Sequence, residues 1–480
     1  MTGRDDRPIV VVGGGITGLT AAYRLVLGGA SVALVEPDQL GGKLRTSVFA
    51  GRPVDEGADA FLLRVPWALQ LCVDLQIDGE LISPAERAAY IAGPGGLHLL
   101  PEGHVLGVPT DLDALAASGV VSEDGVRRAA EDLDLPAADT DPSVSGNDVA
   151  IAPYLRRRLG DEVFEQLVDP LVGGINAGDT ERLSLSGVVP QLDAAARSGD
   201  PSLIRSCRAQ RERAAAMPGA DPNAPVFASP LGGMARIVDA IVGFLPDLDL
   251  RLGRRVVGIE PAADDGATVT LDDGTLIDAA GVVLASPTGV AAALLTDVAP
   301  DTAAILAAIE YASVTLVTLA FDRADIADPL AASGLLVPHG QGRLMTACSF
   351  ATSKWAQLRD VERDDVLLRV SAGRHGDERH LDLDDRAVVD ALLADLDATI
   401  GVRGAPDEVR VNRWTASLPQ YEPGHLDRID AAEAALLAVA PKIVLAGAGY
   451  RGLGVPACVR QGNEAADRLL ASTSAIISGR

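Results

Sequence analysis

Gly13, Gly15 and Gly18 follow the apolar run Ile9–Val12 and open a helical pattern, and Val32–Glu36 supplies a second apolar run closed by an acid. Each residue type has a chemical use at that spacing. Gly13 permits a tight turn, Gly15 lets the backbone approach a pyrophosphate, and Gly18 allows close helix–strand packing. Unpaired N–H groups at the start of the helix turn positive partial charge toward the phosphates. Glu36 stands about twenty residues on, placed to accept hydrogen bonds from a ribose. Strand, turn, helix, strand and acid are all present, so the pattern reads as dinucleotide binding.

The segments Leu40–Thr46 and Gly51–Phe61 then bring a second glycine pair, Lys43, and the run Gly57, Ala58, Asp59, Ala60. This continuation resembles the amine-oxidase-like flavoprotein superfamily, which includes monoamine oxidases, phytoene desaturases and protoporphyrinogen oxidases. The resemblance implies FAD, with Gly42 and Lys43 near the phosphates and Gly57 to Ala60 beneath the isoalloxazine. It assigns cofactor contacts to Gly13, Gly14, Gly15, Ile16, Thr17, Gly18, Glu36 and Pro37. It also sets the backbone of Val256 against the adenine.

The elements that must position these residues are dispersed along the chain. Residues 251–286 alternate apolar and polar around an Asp-Asp-Gly turn, as a small β-meander ending in a parallel strand. Lys442–Leu470 gives strand, glycine turn and helix. Both would complete a sheet begun at residue 8. Residues 110–220 are helical in pattern, with an amphipathic run over 148–169 and an acidic, Pro/Ser-rich loop at 134–147. Strand-like runs at Val314–Phe321 and Asp365–Ser371 flank a helical stretch at 383–400. The expected fold is α/β: a doubly wound, Rossmann-like FAD-binding domain built from 1–75, 228–298 and 436–480. A mixed α+β substrate domain takes 76–109 and 299–435, and a helical insert takes 110–227.

With 480 residues the chain is long enough for about three domains. A formal charge of −26 excludes general attraction to nucleic acid or anionic lipid, yet leaves room for an anion held by a few local arginines. The start of the chain lacks an apolar signal region, and the apolar stretch 9–35 is interrupted by glycines and Arg24. Cys72, Cys207, Cys348 and Cys458 lack metal-site spacing, and free thiols in a reducing cytoplasm are expected. Six scattered histidines give neither a nucleophile triad nor a metal site.

Several further segments narrow the resemblance to porphyrinogen oxidases of the heme pathway. These are Leu167–Ser184, Phe227–Met234, Ser333–Val337, the Trp-to-Gly-His run Arg413–His425, and Gly447–Gly462. The family likeness carries flavin contacts onto Trp414, Ala448, Leu453, Gly454 and Val455. It gives Gly334 and Leu336 as substrate contacts, and a shape-complementary apolar slot is expected to have Gly174, Ile175 and Asn176 as its opposing wall. The strand Ala312–Leu319 holds no lysine where amine oxidases place one, which weighs against amine oxidation. Leu100–Asp111 has His104 and no arginine, a form similar to the bacterial coproporphyrinogen III oxidases. A substrate with four propionates needs dispersed cationic partners, Arg64 first among them.

The implied reaction is oxygen-dependent and removes six electrons in three two-electron steps, with H2O2 released. The resemblance leaves room for transient contact with a ferrochelatase and for peripheral contact with a membrane. Three alternatives stay open: protoporphyrinogen IX oxidase, an amine-oxidase or phytoene-desaturase-like enzyme, and a non-enzymatic escort-type scaffold. The sequence singles out no essential acid or base.

Overall fold

Ile9–Val12 and Val32–Glu36 are short, almost wholly buried strands, and the helix Ile16–Leu27 crosses between them. The computed structural model describes residues 6–93, 95–217, 221, 224–263, 266–360 and 362–478. Around these strands forms a five-stranded parallel sheet in the order Asp249–Leu252, Val32–Glu36, Ile9–Val12, Gly281–Leu284, Ile443–Leu445. Parallel strands buried on both faces need continuous apolar runs, which the central ones have. Against one face pack the helices Ile16–Leu27, Ala235–Gly243 and Val455–Ser478, burying Leu19, Leu25, Leu34, Ile241 and Val459. Each such side chain contributes about 1.5–3 kcal/mol of burial free energy.

The other face presents Val10, Val12 and Val35 to the meander Val256–Pro261, Ala267–Leu271, Leu276–Ala279 and to three further helices. The sheet is thus covered on both sides, as the doubly wound expectation requires. One strand differs. Asp249–Leu252 belongs to the parallel sheet rather than leading into the meander. It is an edge strand with little buried surface, so it lacks the apolar run that marks the others.

A second sheet has seven strands, ordered Glu408–Pro419, Tyr311–Asp322, Asp365–Ala372, Met345–Phe350, Gly334–Leu336, Tyr90–Gly93, Gly96–Leu99. Its pairs are antiparallel except Gly334–Leu336 against Tyr90–Gly93. Strand alternation sends Val317, Leu319, Leu368 and Val370 to one face, where Val388, Leu392 and Leu396 of the helix Asp385–Ile400 cover them. Asp384 caps that helix through Ala387 N–H, and Gly401 ends it in the left-handed region. The opposite face turns toward the nucleotide-binding elements. The buried pair Arg52–Asp365, at 2.5 Å, fixes the hairpin Thr46–Phe49/Arg52–Asp55 to this sheet.

Between residues 112 and 215 the chain is helical. The amphipathic run over 148–169 reads as one helix, but it breaks at Gly160, whose φ of 84° only glycine adopts readily. Ile151–Leu159 ends there, and a π turn at Phe164–Val168 leads into the helix Asp169–Asn176. Leu155, Leu159, Val163 and Leu167 still share one core, so the apolar period runs across the break. Pro142–Ser145 adds one helical turn inside the acidic loop.

Candidate active site

Gly15 is the N-cap of the helix Ile16–Leu27, and no side chain caps that end. A Cβ built on Gly15 meets no protein atom within 4 Å. Its neighbours differ. At Gly18 a Cβ would lie 1.9 Å from the Gly13 carbonyl oxygen, and at Gly13, with φ of 106°, it would lie 2.8 Å from that of Ala285. Gly13 and Gly18 are therefore required by the protein's own packing, while Gly15 faces an open cradle before free helix N–H groups. Gly14, Ile16 and Thr17 are buried behind it.

Glu36 reaches this turn from the neighbouring strand. Its carboxylate accepts Gly14 N–H at 2.7 Å and Asp38 N–H at 2.9 Å, with exposed Pro37 beside it. Gly253 N–H donates to the Glu36 carbonyl at 2.8 Å, so the loop before buried Val256 borders the same end of the crevice. The second glycine pair is joined to the first turn: Gly41 N–H donates to Gly14 O at 2.8 Å, and a Cβ on Gly42 would stand 3.2 Å from Gly15 Cα. From there the crevice runs to Lys43. Its ammonium has protein on most sides, and this desolvation lowers its pKa, although the side chain stays accessible from the crevice. Ala58 N–H donates to Lys43 O at 3.2 Å, bringing Gly57–Ala60 next in line.

The second sheet holds that segment from below. Trp414 Nε1 donates to Glu56 O at 3.0 Å, Asn412 Nδ2 to Glu56 Oε2 at 3.3 Å, and an Arg369 N–H to Gly57 O at 2.6 Å. Asp59 accepts from Lys354 Nζ at 2.8 Å and Trp355 Nε1 at 3.2 Å. Burial alone would raise the Asp59 pKa, but the Lys354 and Arg369 charges hold it well below the usual carboxylate range.

Ala448, Leu453, Gly454 and Val455 lie in the loop after the strand Ile443–Leu445 and at the start of the last helix. Side chains of distant origin fasten this loop. The Tyr421 hydroxyl donates to Ala448 O and accepts Gly452 N–H at 3.0 Å. His425 stacks on Tyr421 at 3.9 Å and bonds Tyr450 O at 2.8 Å, and burial lowers its pKa to about 4, leaving it neutral. Gln461 Nε2 donates to Gly452 O at 3.3 Å.

Next to the crevice the helix Asp169–Asn176 faces the strand Gly334–Leu336. A Cβ on Gly174 would touch Leu336 Cδ2 at 3.8 Å, and Ile175 is exposed. Gly334 is buried, its missing Cβ directed 2.4 Å from Cys348 O. Leu316 stands on the same sheet face, in register with Asn412 and Ser371, beside a small apolar group of Ala177, Ala312 and Val314. The buried pair Arg374–Asp169, at 3.2 Å, ties the helix to this sheet.

The residues present fit an FAD. An open glycine cradle, an uncapped helix end and the Glu36 carboxylate meet at one turn, and beside the segment that begins at Gly57 the buried Asn412 Oδ1 has no partner among the described residues. The chain matches the family described as flavin containing amine oxidoreductase over residues 16–470. It belongs to that family. Coproporphyrinogen III oxidase of Mycobacterium leprae is 34% identical over 479 residues, 98% of this chain and 99% of that one. The Bacillus subtilis enzyme of the same description is 31% identical, covering 95% and 96%. A crystal structure from Exiguobacterium, assigned as a protoporphyrinogen oxidase, superposes with a TM-score of 0.85 at 29% identity, covering 98% of this chain and all of that one.

Within this flavin oxidoreductase two expected substrate contacts stand apart. The Asn176 side chain is buried, and its Nδ2 donates to Val172 O at 2.8 Å within the same helix. Arg64 is exposed and has no ion pair among the described residues. His104 is half-buried, accepts Gly107 N–H at 3.1 Å, and has its pKa lowered to about 4 by desolvation, which makes it a neutral structural group. Tyr421, Gln461, Arg369 and Lys354 escaped the sequence reading. Tyr421 and Gln461 lie inside segments that carry the family resemblance, Arg413–His425 and Gly447–Gly462, whereas Arg369 and Lys354 lie in neither.

Asp55, the buried last residue of the strand Arg52–Asp55, leads into the segment Gly57–Ala60. It accepts Thr46 Oγ1 at 2.5 Å and Met234 N–H at 2.8 Å, and burial raises its pKa from 3.8 to about 6. A raised carboxylate pKa contributes stability that is fully present below about pH 4 and lost as pH rises toward 6, here about 3 kcal/mol. Asp55→Asn keeps both acceptor bonds and cannot ionise. In urea titrations its stability relative to the native chain should rise between pH 4 and 7, and a constant difference would refute the assignment.

Proposed function

We propose that this flavin oxidoreductase oxidises coproporphyrinogen III to coproporphyrin III, consuming three O2 and releasing three H2O2. The observation that carries this reading is the near full-length similarity to coproporphyrinogen III oxidases from two organisms. FAD, when bound, supplies the two-electron sink used three times per macrocycle. The chain's own residues do the rest. The Gly13–Gly18 turn, Glu36 and Lys43 bind the cofactor, and Trp414, Arg369 and Asn412 orient the segment Gly57–Ala60 that underlies the flavin ring. Gly174, Ile175 and Leu336 form an apolar slot that positions a flat macrocycle and excludes water. Leu316 at the cleft face, in place of a lysine, disfavours amine oxidation.

The reading includes a nucleotide domain of 1–75, 228–298 and 436–480, a substrate domain of 76–109 and 299–435, and a helical insert of 110–227. It also includes a cytoplasmic location and transient contact with a ferrochelatase. Among the described residues no helix is long and apolar enough to cross a membrane, so membrane contact is confined in this proposal to peripheral association.

The test uses flavin-loaded protein with both porphyrinogens, following porphyrin fluorescence. Coproporphyrinogen III should be oxidised faster, and a preference for protoporphyrinogen IX would overturn the substrate. Arg64→Ala should raise KM for coproporphyrinogen III several-fold with little change in kcat, since a solvated pair contributes only about 0–1 kcal/mol. Unchanged KM would dismiss Arg64 as a propionate partner.

A further inference from the structure

Asp59, Lys354 and Arg369 form a partly buried ion cluster. Asp59 Oδ2 lies 2.8 Å from Lys354 Nζ and 3.2 Å from an Arg369 guanidinium nitrogen. Arg369 also donates to the Gly57 carbonyl oxygen, so the cluster is bonded directly to the crevice floor. Gly41 N–H bonds Gly14 O and Ala58 N–H bonds Lys43 O, so backbone contacts link the turn at Gly15 through Lys43 to Ala58. A dinucleotide whose pyrophosphate sits at Gly15 extends along that line to the segment this cluster supports.

The cluster is also well isolated from bulk water. Arg369 is 10% exposed, Lys354 20% and Asp59 21%. At such sites a charge acts over several ångströms with far less screening than on the surface. The surrounding charges are Arg410, which donates to Ser47 Oγ and Val54 O, Glu56, bonded to Asn412, and Asp55. Lys354 comes from the short helix after Met345–Phe350 and Arg369 from the strand Asp365–Ala372, so this charge is delivered entirely by the second sheet.

We infer that the Asp59–Lys354–Arg369 cluster sets the reduction potential of the bound flavin, the two cations raising it and Asp59 lowering it. The inference rests on the flavin ring lying along Gly57–Ala60. Reduction adds electron density to the ring, which nearby positive charge stabilises and negative charge opposes. Arg369 additionally acts as a positioning residue through the Gly57 carbonyl.

The experiment measures the midpoint potential of purified flavin-loaded variants by spectroscopic titration against reference dyes, alongside FAD dissociation constants. Arg369→Met and Lys354→Met should lower the potential and Asp59→Asn should raise it. Each shift should amount to about tenfold in the oxidised-to-reduced equilibrium, about 30 mV for a two-electron couple. Arg369→Lys keeps the charge but cannot reproduce both bonds of the planar guanidinium. It should stay near the native potential while FAD binds several-fold more weakly. Loosened packing would move all variants in one direction, so shifts of opposite sign support the electrostatic role. Coincident potentials, or shifts of one sign throughout, overturn it. If Asp59→Asn fails to fold, the Arg369 pair decides: a lowered potential in Arg369→Met with a near-native one in Arg369→Lys supports the role of charge, and equal shifts in the two overturn it. A native protein that takes up no FAD overturns the flavin reading itself.

Discussion

Gly15→Val is expected to give a folded protein that is colourless on purification, with FAD affinity reduced by at least about a hundredfold, close to 3 kcal/mol. The structure separates the two ways in which a glycine substitution can do harm. Gly18→Val would drive a side chain into the Gly13 carbonyl, and Gly13→Val would combine a clash at Ala285 with a left-handed φ, so both should impair folding. At Gly15 the backbone has φ −70° and ψ 175°, open to any residue, and the position of a Cβ is empty of protein. Valine there is neutral to the fold and occupies the space in front of the helix N–H groups. The check is a far-ultraviolet spectrum and melting temperature close to those of the native chain, together with an FAD titration. A Gly15→Val protein that binds FAD with native affinity would show that the pyrophosphate lies elsewhere.

That contrast among three neighbouring glycines also marks what the sequence could say. Their spacing was legible because a dinucleotide turn is local: strand, turn, helix and acid lie within residues 9–36 and obey one geometric rule. Asp385–Ile400 was legible for the same reason, since its cap, period and closing glycine are all its own. The break at Gly160 was hidden because the two helices it separates bury the same face, and periodicity records faces rather than bends. Asp249–Leu252 was hidden because an edge strand needs no apolar run.

The supports of the site were less visible still. Arg369 meets Gly57 across 312 positions, Trp414 meets Glu56 across 358, and Lys354 meets Asp59 across 295. No local pattern encodes such contacts. They arise because alternation on the strands Asp365–Ala372 and Glu408–Pro419 sends Arg369, Asn412 and Trp414 to one face, and because the hairpin Thr46–Asp55 is docked on that sheet. Asn176 shows the converse. Its place in a recognisable segment is correct for the helix Asp169–Asn176, but the last turn directs its amide inward to Val172. A motif can place a residue on an element without fixing where its side chain points.

The same helix gives the second large effect. Gly174 is exposed on Asp169–Asn176, and its Cβ direction leads to Leu336 Cδ2 at 3.8 Å, an ordinary contact distance. Gly174→Ala should therefore be accommodated, with helix propensity improved by about 1 kcal/mol and nearly native turnover. Gly174→Phe should project a ring into the slot between this helix and the strand Gly334–Leu336, displacing a macrocycle held there. Because a misplacement of about 1 Å can cost roughly a hundredfold in rate, kcat/KM should fall by at least about that factor. The FAD content should not change, since the glycine turns and Glu36 belong to the parallel sheet and its helices, while Gly174 lies on the separate helix Asp169–Asn176. The size series separates slot filling from helix damage, which would affect alanine and phenylalanine alike or lower the melting temperature. A Gly174→Phe enzyme with native kinetics on both porphyrinogens would show that the macrocycle does not lie between Gly174 and Leu336.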